Sequence, residues 1–127
     1  MSFTLIDQGS ETFEFSVSVW KWKAAVEVVR SMDIVDEGAL RQMSYNATGV
    51  KIGVDHAHEI GRRIRDEILP KLGPGHRMFA DLSITDTPDD KTLYRDGDET
   101  WKNYSVTRDW LEEFAEFCLR SKGFQVF

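Results

Sequence analysis

Residues 107–127 constrain the fold more than any other stretch of the chain: Thr107-Arg-Asp-Trp-Leu-Glu-Glu-Phe-Ala-Glu-Phe-Cys-Leu-Arg-Ser-Lys-Gly-Phe-Gln-Val-Phe127. Trp110, Leu111, Phe114, Phe117 and Cys118 recur at helical spacing, so they share one face. Thr107 can cap that helix, and Val106 before it can pack on Leu111. Lys122 and Gly123 are a stop signal, after which Phe124 to Phe127 alternate like a strand. A helix this heavy in aromatic side chains on one face needs a broad apolar surface to dock on. The strand behind it predicts that the surface is a sheet and that the segment is structured rather than frayed.

The rest of the chain supplies partners for it. Phe3 and Leu5, then Phe13, Phe15 and Val17, alternate with polar neighbours on either side of Gly9-Ser10, which reads as a hairpin or two short strands. From Ser18 the period changes. Trp20, Ala24 and Val28, with Ala25, Val29 and Met32, predict a helix over 18–32. Its valines lower the intrinsic helix propensity, so burial must carry it. Residues 33–48 read two ways: Asp36-Glu37-Gly38 is a turn signal, and Ala39 to Tyr45 fits a short helical turn. Val50, Ile52 and Val54 alternate as a strand. Asp55 then reads as the cap of a helix whose apolar face is Ala57, Ile60, Gly61, Ile64 and Ile68, ended by Gly73-Pro74-Gly75. Gly61 on that face predicts close approach of another backbone. A further strand is expected around Phe79 to Ile84, followed by a polar loop from Thr87 to Thr100 that is longer than most connections, hence functional or mobile. The expected architecture is α+β: a small, mostly antiparallel sheet with about three packed helices, in a single globular domain over residues 1–127.

Composition bounds function. Cys118 is the lone cysteine, so no internal disulfide is available to indicate an oxidising compartment. The N-terminal residues lack the basic-then-apolar pattern of a signal peptide, and no apolar run has the length of a membrane helix. A cytoplasmic protein with no membrane partner is expected. The net charge of −6 argues against a broad nucleic-acid grip, which depends on neutralising phosphates. Much of that charge sits in residues 79–100, where seven acids face two bases, a net of −5.

Four clusters are candidates for function. His56-Ala-His58-Glu59 has metal-ligating residue types, but histidines two apart at a helix start diverge by about 200°. Asp55 and Glu59 suit the helix start, where acids complement the dipole. Arg62, Arg63 and Arg65 form a basic patch fit for anions, yet Glu59, Asp66 and Glu67 lie within ion-pairing reach on the same helix. Asp86, Asp89, Asp90, Asp96 and Asp98 supply oxygen ligands without the spacing of a calcium loop, and suit a solvated or partner-contacting loop better. Trp20-Lys-Trp22 places two indoles where both cannot face the core of a regular helix, which reads two ways: one is exposed as a candidate contact surface, or the helix begins later and both pack against the sheet. Cys118 lies late in its helix beside phenylalanines and reads as an inert buried thiol. No phosphate loop, nucleophile elbow or cysteine pair is present, and no cofactor is expected.

The Trp-containing first helix, the short strand leading into Asp55-x-Ala57, and the ending Trp110-Leu111-x-x-Phe114-x-x-Phe117-Cys118 with Gly123-Phe124-x-Val126 resemble a group of small bacterial proteins without an established activity. The resemblance implies a bacterial, cytoplasmic setting and carries no site residues. The functional expectation is a non-enzymatic protein-binding domain, in one version immunity- or antitoxin-like, because acidic surfaces suit basic toxic enzymes. A homo-oligomer is compatible with it. The alternative is a small metal-dependent enzyme or ligand-binding domain using His56 and His58 with nearby acids.

Overall fold

The computed structural model describes residues 2–10, 13–45, 48–89 and 91–127. In chain order the elements are β1 (Ser2–Asp7), β2 (Glu14–Ser18), α1 (Val19–Ser31), α2 (Glu37–Met43), β3 (Val50–Ile52), α3 (Val54–Arg63), β4 (Arg77–Phe79), β5 (Ile84–Thr85), β6 (Ser105–Thr107), α4 (Arg108–Arg120) and β7 (Phe124–Val126). The fold is α+β, as the sequence predicts, but the described residues form four α-helices, and their strands divide into two antiparallel sheets. One sheet runs β2-β1-β7-β3 and the other β5-β4-β6. Strand β7 lies between β1 and β3, with Leu5 opposite Val126 and Ile52 opposite Phe124.

Helix α4 organises the core. Thr107 caps it, its hydroxyl oxygen accepting from the Trp110 amide at 3.1 Å. Trp110, Leu111, Phe114, Ala115, Phe117 and Cys118 are all buried. Phe114 is the centre: Trp110 stacks on it at 5.2 Å and Trp22 of α1 meets it edge-on at 5.8 Å. Phe15 of β2 touches the rings of Trp110, Phe114 and Phe117. Phe117 in turn reaches Phe124 of β7. Rings that meet tilted or edge-on add to the stabilisation from area burial alone.

Helix α3 packs on α4 through Gly61. A Cβ there would lie 2.8 Å from the Ala115 carbonyl oxygen and 2.8 Å from Leu119 Cγ, so only glycine allows this approach. The far end of α4 is tied to β1 by Asp7. This buried carboxylate accepts from the Lys122 amide at 2.6 Å and the Gly9 amide at 3.1 Å. Gly123, at φ +90, turns the chain into β7 against the Ile52 carbonyl.

Several local expectations are corrected. Helix α1 begins after a Ser18 cap, and its buried face carries Trp22, not Trp20. Asp36 is not a bare turn residue: its Oδ1 accepts from the Ala39 amide at 2.8 Å and starts α2. Val54 belongs to α3, whose cap is Gly53 rather than Asp55, so the strand before it ends at Ile52. The helix after Arg63 does not run on regularly to Gly73. It opens into one π turn over Ile64–Ile68 and a 3-10 turn over Leu69–Lys71. Pro70 has no amide hydrogen to donate back, so an unbroken α ladder cannot pass through it. The strand expected around Phe79 to Ile84 is the hairpin β4–β5. Asp81 Oδ1 accepts from the amide and hydroxyl of Ser83 and folds the turn. No helix among the described residues is long and apolar enough to cross a membrane.

Candidate functional site

Helical geometry separates the two indoles of Trp20-Lys-Trp22. Trp22 is fully buried and donates its indole N–H to the Met43 carbonyl at 2.7 Å. It has no surface to offer a partner, so its place among the candidate contact residues is corrected: it anchors α1 to the end of α2. Trp20 is 49% exposed. Its ring stacks on Tyr104 at 5.5 Å with an interplanar angle of 22°. The Lys23 ammonium lies 4.9 Å from the centre of the Tyr104 ring. Two aromatic rings and a cation thus form a preassembled ledge where α1 passes β6. Large aromatics held rigid before binding cost little entropy to dock, which is why such residues dominate contact energies.

The acidic segment runs into this ledge through residues 100–104. Sequence length alone suggested that it could be mobile; the structure ties it down at several points. The Asn103 side chain brackets Tyr94, accepting from its amide and donating to its carbonyl, each at 2.7 Å. The Trp101 indole donates to the Asp98 carbonyl at 3.1 Å and meets Phe79 edge-on. Arg77 donates to the Thr87 carbonyl at 2.8 Å and to the Ser105 hydroxyl, and its guanidinium lies over the Phe79 ring. Asp86, Asp89, Asp96 and Asp98 are all exposed. Asp89 accepts from the Lys91 amide at 2.8 Å, a local bond at the surface. Asp90 lies outside the described residues.

The histidines serve separate structural ends. His58 Nε2 lies 3.0 Å from the Ser121 carbonyl. A carbonyl can only accept, so the ring carries its proton on Nε2 there. His76 Nδ1 accepts from the Gly73 amide at 2.9 Å and closes the Gly-Pro-Gly turn. His56 is exposed on the first turn of α3. Among the described residues, no three histidine, cysteine or acidic side chains are placed to hold one metal ion.

The basic patch is likewise committed. Arg62 binds Glu59 through two nitrogens. Arg63 pairs with Glu67 and Arg65 with Asp66. The Arg62 hydrogen bond holds the Glu59 carboxyl below its usual range. Each guanidinium of the candidate anion site therefore already faces a carboxylate, which corrects that reading to an ion-paired helix face. Cys118 is fully buried, and burial pushes its thiol pKa up, away from the nucleophilic thiolate.

One feature escaped the sequence. Between β2 and α4 lies a groove of about 390 Å³. Its floor is Phe13, Phe15 and Phe117, and its rim is Glu14, Glu112, Glu113, Glu116 and Arg120. Phe13 and Phe15 alternate visibly in the sequence, and Glu113 is visibly on the polar face of α4. What brings them together is the placement of β2 at the sheet edge, which is long-range pairing and not local pattern. No family model matches this chain, and no curated protein or solved structure matches it either.

Proposed function

We propose that the protein acts by binding another protein, with the Trp20–Tyr104 ledge as the contact core and the acidic segment as its charged flank. The observation that carries this reading is Trp20, an indole half exposed yet held against Tyr104 beside Lys23. A tryptophan kept at the surface by neighbours that order it has the character of a contact anchor. Asp86, Asp96 and Asp98, exposed in the segment that leads into Tyr104, favour a basic partner and would speed the encounter more than they tighten the complex. Neutralisation of a basic toxic enzyme, as an immunity protein or antitoxin does, is one form this function would take.

Affinity capture from the source organism, followed by titration of the recovered partner, tests the reading. Trp20→Ala should weaken the complex by about 2 kcal/mol or more, roughly thirtyfold. Asp96→Asn with Asp98→Asn should slow association and flatten its salt dependence. A partner held equally well by all variants overturns the ledge as the contact core.

A further inference from the structure

We propose that the free edge of β2 and the groove beside it form a second docking site, which takes an extended basic segment of a partner protein as an added strand. A lysine or arginine of that segment would lie across Phe13, Phe15 and Phe117. The site shares no residue with the Trp20–Tyr104 ledge.

The edge comes first. β2 ends its sheet and pairs only with β1 among the described residues. The Asp7 amide donates to the Phe13 carbonyl at 3.0 Å, which sets the phase of the ladder. Hydrogen-bonded pairs alternate in an antiparallel ladder, so with Leu5 opposite Phe15 and Phe3 opposite Val17, those residues bond to β1. The amides and carbonyls of Glu14 and Ser16 then point outward. Exposed edges are commonly guarded by lysine, proline or a bulge. β2 reads Glu-Phe-Ser-Val-Ser and has neither lysine nor proline.

The groove says what kind of strand fits. Its floor is aromatic, and Arg120 already demonstrates the chemistry it accepts, with its guanidinium 5.1 Å from the centre of the Phe13 ring. Aromatic faces attract cations through the ring quadrupole. Four carboxylates against one guanidinium leave the rim negative. Two of the four are loosely engaged, Glu112 with Arg108 at 3.7 Å and Glu116 with Arg120 at 4.0 Å. Glu14 and Glu113 have no ion-pair partner among the described residues. The same rim disfavours a second copy of this chain, which would bring an equally acidic groove to the shared edge. Alternation along an added strand places every second side chain over the groove, so the segment should carry its cations two residues apart.

The probe is a fluorescein-labelled peptide, Thr-Lys-Val-Lys-Val-Lys-Thr, followed by anisotropy at low salt. Saturable binding is expected. The same peptide with glutamate for lysine should bind at least tenfold more weakly, and so should a version N-methylated on alternate backbone amides. On the protein, Glu113→Gln with Glu116→Gln should weaken the lysine peptide about fivefold or more without moving the melting midpoint, since both side chains are exposed. Trp20→Ala should leave it unchanged, so failure here and failure of the ledge are separable. Several results overturn the proposal: no saturable binding; equal binding of the glutamate peptide; or equal binding of the N-methylated peptide, which would mean adventitious cation adsorption only. Concentration-dependent self-association abolished by Ser16→Pro would overturn it in favour of a second copy.

Discussion

Helix α4 borders two regions built on opposite principles. On one side, Phe15, Trp22, Trp110, Phe114, Phe117 and Phe124 enclose one another, and stability comes from apolar burial distributed over many contacts. On the other, residues 80–89 and 91–104 are largely exposed, and their shape rests on polar contacts made by Asp81, Arg77 and Asn103 with the edge-on Trp101–Phe79 pair. The first should unfold only with the whole molecule. The second should open by itself, because its bonds are near solvent and few apolar contacts back them. The contact surface proposed above would gain from that difference: it is ordered enough to present Trp20 and Tyr104, yet it can adjust without disturbing the core.

The largest effect that could break this contrast is Phe114→Ala. Phe114 is fully buried at the centre of the rings, so the change should cost about 3–5 kcal/mol through lost transfer energy and the cavity left behind. That is a large share of the roughly 5–15 kcal/mol typical of a domain. Urea melts measure it, and a midpoint equal to wild type would mean that the rings do not act as one core.

Gly61→Ala comes next. Alanine favours a helix over glycine by about 1 kcal/mol, but here its methyl would meet the Ala115 carbonyl oxygen at 2.8 Å, and backbone cannot swing aside. A net loss of about 1–3 kcal/mol is expected from overpacking. A midpoint at or above wild type would show α3 seated more loosely on α4.

The smallest global effect should come from Asn103→Ala. It removes both bonds that bracket Tyr94, each worth about 0.5–1.5 kcal/mol to local order. Trypsin cleavage at Lys91 or Arg95 should quicken about five- to hundredfold while the urea midpoint stays nearly constant. A midpoint that falls as far as it does for Phe114→Ala would erase the distinction between the regions.

The same contrast separates what could be read from the sequence. The aromatic face of α4, its Thr107 cap, the close approach at Gly61 and the strand β7 all follow from local spacing, and the structure holds each of them. The buried Cys118 was legible for the same reason. Where the chain is held by side chain-to-backbone bonds outside helix caps, as between Asn103 and Tyr94, local pattern was silent. Nothing in the spacing of Tyr94 and Asn103 marks them as partners. Pro70 was readable as a break in the α ladder, but the π turn over Ile64–Ile68 that precedes it was not. In the candidate sites, spacing left open whether one or both of Trp20 and Trp22 are packed inside; the structure buries Trp22, bonded to the Met43 carbonyl, and leaves Trp20 half exposed. The β2 groove was least legible, because it needs the edge position of β2 and the exposed face of α4 together.

The central position of β7 also bears on synthesis. Residues 2–7 leave the ribosome early, but the strand that joins them to β3 is residues 124–126. At about 5–20 residues per second, the interval between them is on the order of 6–25 s. Throughout it, β1 lacks β7 as a neighbour, and Phe15 has no α4 rings to cover it. The four-stranded sheet is therefore completed after nearly all of these residues have been translated. In that window the nascent hairpin is an exposed apolar surface of the kind chaperones recognise.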